Sequence, residues 1–175
     1  MKNNNGILKY WKKEHLEYVK NAKSFPDLTE IALDILHSMP QPIGEVCGPI
    51  STGGNGSIKE NVEIFKKIIT KLVGLELNIF NQLLWGDTLK RFVQESSLSR
   101  QDANKMILKN LYLPIFKSGL VKNLYFMDNW NSSYGASWER ERAKELSIKM
   151  IDLPYNFLDI SNKEAKSFLI KASSL

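Results

Sequence analysis

The length, composition and charge of the chain narrow the class of protein it can be. It has 175 residues and a formal net charge of +5, with 43% hydrophobic and 25% charged residues. This length corresponds to about one compact domain, and the composition is that of an ordinary globular protein. No stretch approaches the ~18 uninterrupted apolar residues of a membrane span, which excludes such a span, and we expect no membrane partner. The charge of +5 is too small to indicate a dedicated nucleic-acid-binding protein.

The residues that most often bind metals are scarce. Cys47 is the one cysteine, which excludes a disulfide within the chain and a cysteine-rich metal site. The two histidines, His15 and His37, lie far in sequence from the motifs described below. We therefore expect no metal and no other cofactor. Because the sequence starts without a secretory signal and carries a single cysteine, we expect a cytoplasmic protein.

Two helices are predicted before the first strand. Residues 7–22 have apolar residues at helical spacing, with lysines around them. These lysines are typical of a solvated helix face, although they could also contact an acidic partner. Residues 28–37 form the second helix. We expect residues 1–42 to be a helical extension in front of a main α/β domain, residues 43–175.

Strands and helices alternate through the rest of the chain. The predicted strands are residues 43–50, 75–84, 121–127 and 148–153. Helices are predicted at residues 58–74, within 86–119, and at 136–146 and 162–172. This alternation predicts a parallel sheet with helices on both faces.

Two loops have the composition of ligand-binding loops. In a parallel sheet, ligands bind where strands end and loops lead into helices. Residues 48–57 are rich in glycine, and residues 128–135 lead directly into a predicted helix. Small residues there would let backbone N–H groups approach an anion. The glycine loop matches neither the P-loop nor the dinucleotide-binding motif, so a plain flexible connection is the alternative.

Glu139 lies in the first turn of the helix that follows the second loop. At the start of this helix, Ser133 and the Gly135 amide could hold a phosphate. An ionised carboxylate beside a bound phosphosugar is a candidate nucleophile toward the anomeric carbon. The alternative is that Glu139 only stabilises the helix start and pairs with Arg140 or Arg142.

Two motifs in these loops carry a family resemblance. The first is CGPISTGG at residues 47–54, followed by Asn61 and Phe65 in an N-x-x-x-F pattern. The second is SYGASWE at residues 133–139, in which the glutamate follows a glycine by four residues and precedes Ala143 by four. Together they resemble the signatures of the nucleoside 2-deoxyribosyltransferase-like superfamily. The similarity runs from about residue 46 to residue 151.

The resemblance implies a flavodoxin-like sheet, a homodimer and the cleavage of N-glycosidic bonds. Glu139 would attack C1′ of the sugar and expel the nucleobase, after which water or another base would take the sugar. With Ser133 two residues before Gly135, the second motif resembles that of the branch of the superfamily that hydrolyses deoxynucleoside 5′-monophosphates. The expected ligand is therefore a nucleoside 5′-monophosphate or a nucleoside. The substrate-binding residues implied are Gly48, Ile50, Gly53, Ser133 and Gly135.

The sequence departs from the family pattern at Asn110. The family usually has an aspartate there as general acid or base, and Asn110 is its nearest counterpart, so we take it as the second candidate catalytic residue. An amide can hydrogen-bond a base but cannot transfer a proton. A non-catalytic nucleotide-binding or sensing protein on the same scaffold is therefore an alternative, as is a structural protein whose basic first helix binds a partner. Trp130 and Trp138 could stack on a base or belong to the core.

Overall fold

The computed structural model describes residues 8–54 and 56–174. It contains a four-stranded, all-parallel sheet in the order β2-β1-β3-β4. The strands are β1 (Ile43–Cys47), β2 (Asn78–Phe80), β3 (Val121–Phe126) and β4 (Lys149–Asp152). The α-helices are α1 (Lys13–Asn21), α2 (Phe25–Ser38), α3 (Ile58–Gly74), α4 (Gly86–Glu95), α5 (Arg100–Ile107), α6 (Leu113–Lys117), α7 (Tyr134–Glu145) and α8 (Asn162–Ser173). This is an α/β fold of the Rossmann- or flavodoxin-like type with a helical N-terminal extension, which confirms the predicted fold class.

The second strand is much shorter than the predicted 75–84. Glu76 takes a left-handed conformation with φ of 71° directly after α3, and the extended segment begins only at β2. After β2 the chain turns into a 3₁₀ helix, Gln82–Trp85, whose start is capped by the Asn81 side chain. The apolar residues beyond β2 are therefore buried by a helical turn, and hydrophobicity alone does not separate the two conformations.

The sheet divides the core into two apolar clusters. The first face of the sheet, which carries Ile43 and Cys47, packs against a cluster that includes residues of α1, α2 and α4–α7. The second face, which carries Val46, packs against α3 and α8. Because side chains alternate along a strand, Glu45 shares the first face with Ile43 and Cys47. A carboxyl group therefore lies within the apolar cluster of the first face.

The N-terminal helices belong to the cluster on the first face. Trp11 stacks on Phe80 of β2, with 6.0 Å between ring centroids. Thr88 of α4 donates through Oγ1 to the carbonyl of Val19 at 2.9 Å. Helix α1 is shorter than the predicted 7–22, and residue 7 lies outside the described residues. The division into residues 1–42 and 43–175 remains a prediction, and the contacts show that the two parts share one core.

The predicted helical region between β2 and β3 consists of several segments. It contains α4, α5 and α6, with a π-helical segment, Leu108–Tyr112, joining α5 to α6. Ser99 starts α5 by accepting a hydrogen bond from the Asp102 amide at 3.1 Å. Over the described residues, none of the helices has the length and apolar character needed to cross a membrane.

Candidate functional site

The loops after β1 and β3 leave the sheet side by side. The chain continues from β1 to its neighbour β2 on one side, while β3 lies on its other side. This reversal of direction is the position at which open α/β sheets form a crevice for ligands. The two loops start in register, since the Met127 amide donates to the Cys47 carbonyl at 2.9 Å.

The structure brings the two predicted loops into contact. The Gly54 amide donates to Ser132 Oγ at 3.0 Å, and the Tyr134 amide donates to Thr52 Oγ1 at 3.1 Å. Gly53 has a φ of +68°, and a Cβ atom there would overlap the Ser132 carbonyl. The glycine loop therefore packs against the second loop, with glycine required at the contact.

Three predicted substrate-binding residues lie in the glycine loop, and packing within the protein accounts for their positions. A Cβ at Gly48 would come within 2.5 Å of Met127 Sδ, so Gly48 allows Met127 to pack on the backbone. The side chain of Asn61 donates to the carbonyl of Ile50 at 3.2 Å and to that of Gly53 at 3.0 Å. Gly48 and Ile50 are half-buried, and Gly53 is exposed. Asn61 thus fixes the conformation of the loop.

The other two predicted substrate-binding residues lie at the start of α7. Ser133 is 4% exposed, and its Oγ accepts from the Ala136 amide at 3.3 Å as the helix N-cap. The Tyr134 amide donates a hydrogen bond to Thr52 Oγ1, as described above. The Gly135 amide has no intrahelical acceptor and is half-buried. Protein side chains thus accept from the Tyr134 and Ala136 amides of the first turn, and neither of these amides is one of the two donors proposed for a phosphate.

Glu139 is buried on the first face of the sheet, beside the end of β1. It is 7% exposed, and the thiol of Cys47 donates a hydrogen bond to its carboxylate. Burial raises the pKa of Glu139 to about 8, and the hydrogen bond from Cys47 opposes this shift. Cys47 immediately precedes Gly48, so the carboxyl group lies at the base of the glycine loop.

The alternative that Glu139 pairs with a neighbouring arginine is wrong. Arg140 forms a fork with Asp152, with 2.9 Å between Nη2 and Oδ2. Arg142 pairs with Glu145 at 2.6 Å. In the described chain, neither guanidinium forms an ion pair with Glu139. Its carboxyl group is therefore available for chemistry if a substrate reaches it.

Glu45 is a second buried carboxyl group, which the sequence analysis missed. It is 0% exposed, and neither of its carboxylate oxygens has a hydrogen-bond partner among the described residues. Its pKa is raised well above the ordinary range, mainly by burial and also by the charge of Glu139. Burial also raises the pKa of Cys47 and Tyr112, and the charges of both glutamates add to each shift. We call Glu45, Cys47, Tyr112 and Glu139 the buried acid cluster.

One signal in the sequence could have identified this cluster. A charged residue in the middle of a strand whose other residues are apolar is costly to bury unless it has a function or a partner. Glu45 has that position within Ile43–Cys47, and the strand alternation places it on the same face as Cys47.

The structure does not bring Asn110 to Glu139. Asn110 is exposed in the π-helical segment, and its carbonyl accepts from Thr29 Oγ1 at 3.5 Å, on the side of α2. Tyr112, two residues later, is the buried side chain that faces the acid cluster. The extra residue per turn of a π-helix changes which side chains face the core, and the sequence did not predict it.

A well-formed concavity lies at the carboxyl ends of β3 and β4. It has a volume of about 670 Å³, and Pro49, Gly54 and Asn61 form the wall nearest to the glycine loop. Its lining also contains three carboxylates and three large aromatic residues, namely Asp128, Asp152, Asp159, Trp130, Tyr155 and Phe157. Glu139 and the five predicted substrate-binding residues are not among the residues that line it. The described residues contain no group of three or more His, Cys, Asp or Glu side chains placed to hold a metal ion.

The two tryptophans have different environments. Trp138 stacks on Phe116 of α6, with 6.5 Å between ring centroids, and packs against the core of the first face. Trp130 lines the cavity, and the Arg140 guanidinium lies 4.3 Å from its ring centroid. The prediction that a tryptophan could stack on a base therefore applies geometrically to Trp130.

The fold and the site together define a class of protein. It is a Rossmann- or flavodoxin-like α/β protein with a cavity at the carboxyl edge of its sheet and a buried acid cluster on the first face of the sheet. Comparison of the chain with protein-family models, with curated proteins and with solved structures found no match.

Proposed function

We propose that the protein cleaves the N-glycosidic bond of a nucleoside or a nucleoside 5′-monophosphate, with Glu139 as the nucleophile. The position of Glu139 carries this proposal. Its carboxyl group is buried, forms no ion pair with an arginine in the part of the chain that the structure describes, and is hydrogen-bonded to the residue that precedes the glycine loop. The resemblance of both loops to the nucleoside 2-deoxyribosyltransferase-like superfamily supports the same reaction.

The chemistry proceeds in two displacements. A carboxylate oxygen of Glu139 attacks C1′, and the nucleobase leaves with the electron pair of the C1′–N bond. Water then attacks C1′ and releases the sugar, or a second base does so in a transferase. Positive charge that develops on the sugar in the transition state stabilises the ionised carboxylate. We further expect a homodimer located in the cytoplasm, as the resemblance and the single cysteine suggest.

The test is the release of free base. Purified protein is incubated with a panel of nucleosides and 5′-monophosphates, and free base is measured by chromatography. The unmodified protein releases base, Glu139→Gln abolishes the release, and Glu141→Gln retains it. Glu141 is a suitable control because it lies on the same helix but is exposed. Base release that survives Glu139→Gln would remove Glu139 from its proposed role.

A second candidate function is a non-catalytic nucleotide-binding or sensing protein. Two observations favour it, since Glu139 is only 7% exposed and does not line the cavity, and Asn110 is exposed on the side of α2. In that case the panel yields no free base, while one of its members raises the unfolding temperature of the protein.

A further inference from the structure

We propose that the substrates are N-glycosides whose base is a cationic aromatic ring, such as a pyridinium riboside, and that this ring binds in the cavity at the carboxyl ends of β3 and β4. This inference rests on the proposed function and specifies its substrate class. Pro49 lines the cavity, and Gly48 follows Cys47, which contacts Glu139. A sugar attached to a ring in the cavity would extend over this segment towards the carboxyl group.

The charge of the cavity favours a cation. Asp128, Asp152 and Asp159 line it, and within the described chain only Asp152 forms an ion pair, with Arg140. The nearby ammonium of Lys71 is engaged, since it donates to the carbonyl of Leu158 at 3.3 Å and to that of Ile160. The three carboxylates thus outnumber the positive charges of Arg140 and Lys71 at the cavity, and this excess of negative charge attracts a cation and repels a phosphate group.

The aromatic lining suits a flat cationic ring. Tyr155 is 83% exposed at the cavity, although its large ring would ordinarily be more buried. Trp130 already has the Arg140 guanidinium over its ring at 4.3 Å from the centroid, so the lining contains one cation–π contact. Aromatic faces beside carboxylates bind organic cations through the ring quadrupole and through the opposite charge.

The substrate class also determines whether cleavage needs a proton donor. A neutral base leaves C1′ as an anion unless an acid protonates it. Asn110 cannot donate such a proton and lies elsewhere, while Glu45 is 0% exposed and two residues deeper in β1 than Cys47. A cationic base needs no proton. As the Glu139 oxygen bonds to C1′, the C1′–N bond breaks, and its electron pair neutralises the ring nitrogen. Water then displaces Glu139 from C1′ and releases one proton to solvent.

A cationic substrate also favours the ionised, nucleophilic form of Glu139. Burial raises the pKa of Glu139 to about 8, so most of the free protein carries a protonated, non-nucleophilic carboxyl group at neutral pH. The groups that face it in the acid cluster, Glu45, Cys47 and Tyr112, have pKa values raised by burial, which favours their neutral forms, and the charge of Arg140 opposes the shift of Cys47. A positive charge beside Glu139 lowers its pKa and favours the carboxylate, which a neutral nucleoside does not do.

The test compares two ligands of the same shape and different charge. Calorimetric titration measures the dissociation constants of nicotinamide riboside, a pyridinium nucleoside, and of its neutral 1,4-dihydro form. We expect the pyridinium form to bind more tightly, and Asp128→Asn and Asp159→Asn each to weaken it by about 2- to 5-fold while leaving the dihydro form unchanged. Glu17→Gln, an exposed carboxylate of α1 outside the cavity, is the control and has no effect.

Binding and cleavage are measured separately, so that the inference and the proposed function can fail independently. Equal affinity for the two ring forms, or aspartate variants that behave like Glu17→Gln, would overturn the cavity assignment. Glu139→Gln is expected to bind the pyridinium riboside without releasing nicotinamide. Selective binding with no release by the unmodified protein would contradict the proposed function and the substrate class. Release of base from neutral nucleosides at the same rate would contradict the substrate class alone.

Discussion

The carboxyl groups of Glu139 and Glu45 are held out of water, and this affects both stability and reactivity. When the pKa of an acid is higher in the folded than in the unfolded chain, the acid binds a proton on folding at pH values between these two pKa values. The stabilising contribution of this acid to the free energy of unfolding is fully present below the pKa of the unfolded chain. It is lost as the pH rises through the pKa of the folded chain. For Glu139 this window runs from the ordinary value of 4.5 to about 8.

Replacing Glu139 is therefore expected to change stability in a pH-dependent way. Because an amide has no charge to bury, Glu139→Gln should be more stable than the unmodified protein at pH 7–8 and not at pH 4. The difference should grow by roughly 1 kcal/mol for each pH unit within the window. Urea unfolding at several pH values measures it, with exposed Glu141→Gln as the pH-independent control. A difference that does not vary with pH would show that Glu139 is not protonated in the folded protein.

The same pKa predicts the pH dependence of cleavage. A nucleophilic carboxyl group must be ionised, and kcat/KM reports the ionisation of the free protein. With a neutral nucleoside, kcat/KM should therefore rise about tenfold per pH unit below pH 8 and level off above it. Initial rates measured from pH 5 to pH 9 test this. A profile that falls across this range would assign Glu139 the role of an acid.

At the scale of elements, the two loops are held by direct contact with each other. Gly53 is the sharpest example, since its φ is +68° and a Cβ would overlap Ser132. We expect Gly53→Ala to destabilise the protein by about 1–3 kcal/mol and to slow base release. Gly74→Ala is the control, because nothing lies within 4 Å of a Cβ there and alanine favours the helix. Urea unfolding of both variants measures the effect. A Gly53→Ala variant as stable as Gly74→Ala would contradict the loop contact.

The elements also show how far the sequence could predict this protein. Alternating strand and helix patterns were sufficient for the fold class and for most elements. The short β2 was not predictable, because a buried strand and a buried 3₁₀ turn have the same hydrophobicity. Asn110 was placed in the site as the nearest counterpart of the family's aspartate, and the π-helical segment that contains it changes which side chains face the core without any mark in the sequence.

The candidate site was predictable where it depends on sequence order and not where it depends on side-chain direction. The motifs predicted two adjacent loops, and the structure brings them together at Gly54 and Ser132. Which face of the sheet Glu139 occupies depends on the packing of α7, which spacing alone does not determine. The cavity was missed for the same reason, since its lining includes residues after β4 that belong to neither motif.

At the scale of the whole molecule, the N-terminal helices and the sheet share one core. Leu28, Ala32 and Leu36 are 0% exposed in the cluster that also contains Trp85 and Phe126. We therefore expect one cooperative unfolding transition, in which tryptophan fluorescence and helical circular dichroism change together. Leu36→Ala should lower the free energy of unfolding by about 2–5 kcal/mol and keep the two signals coincident. Two separate transitions would show that the N-terminal helices unfold on their own.

The central claim is that Glu139 forms a covalent bond to the sugar. It is tested most directly by incubating the protein with a 2′-fluoro-substituted nucleoside, which slows both displacements, and quenching in acid. Mass spectrometry of a protease digest then identifies the modified peptide. We predict a glycosyl ester on Glu139, absent from Glu139→Gln and present in Glu141→Gln. Turnover with no sugar on any peptide, or with sugar on a residue other than Glu139, would contradict the account.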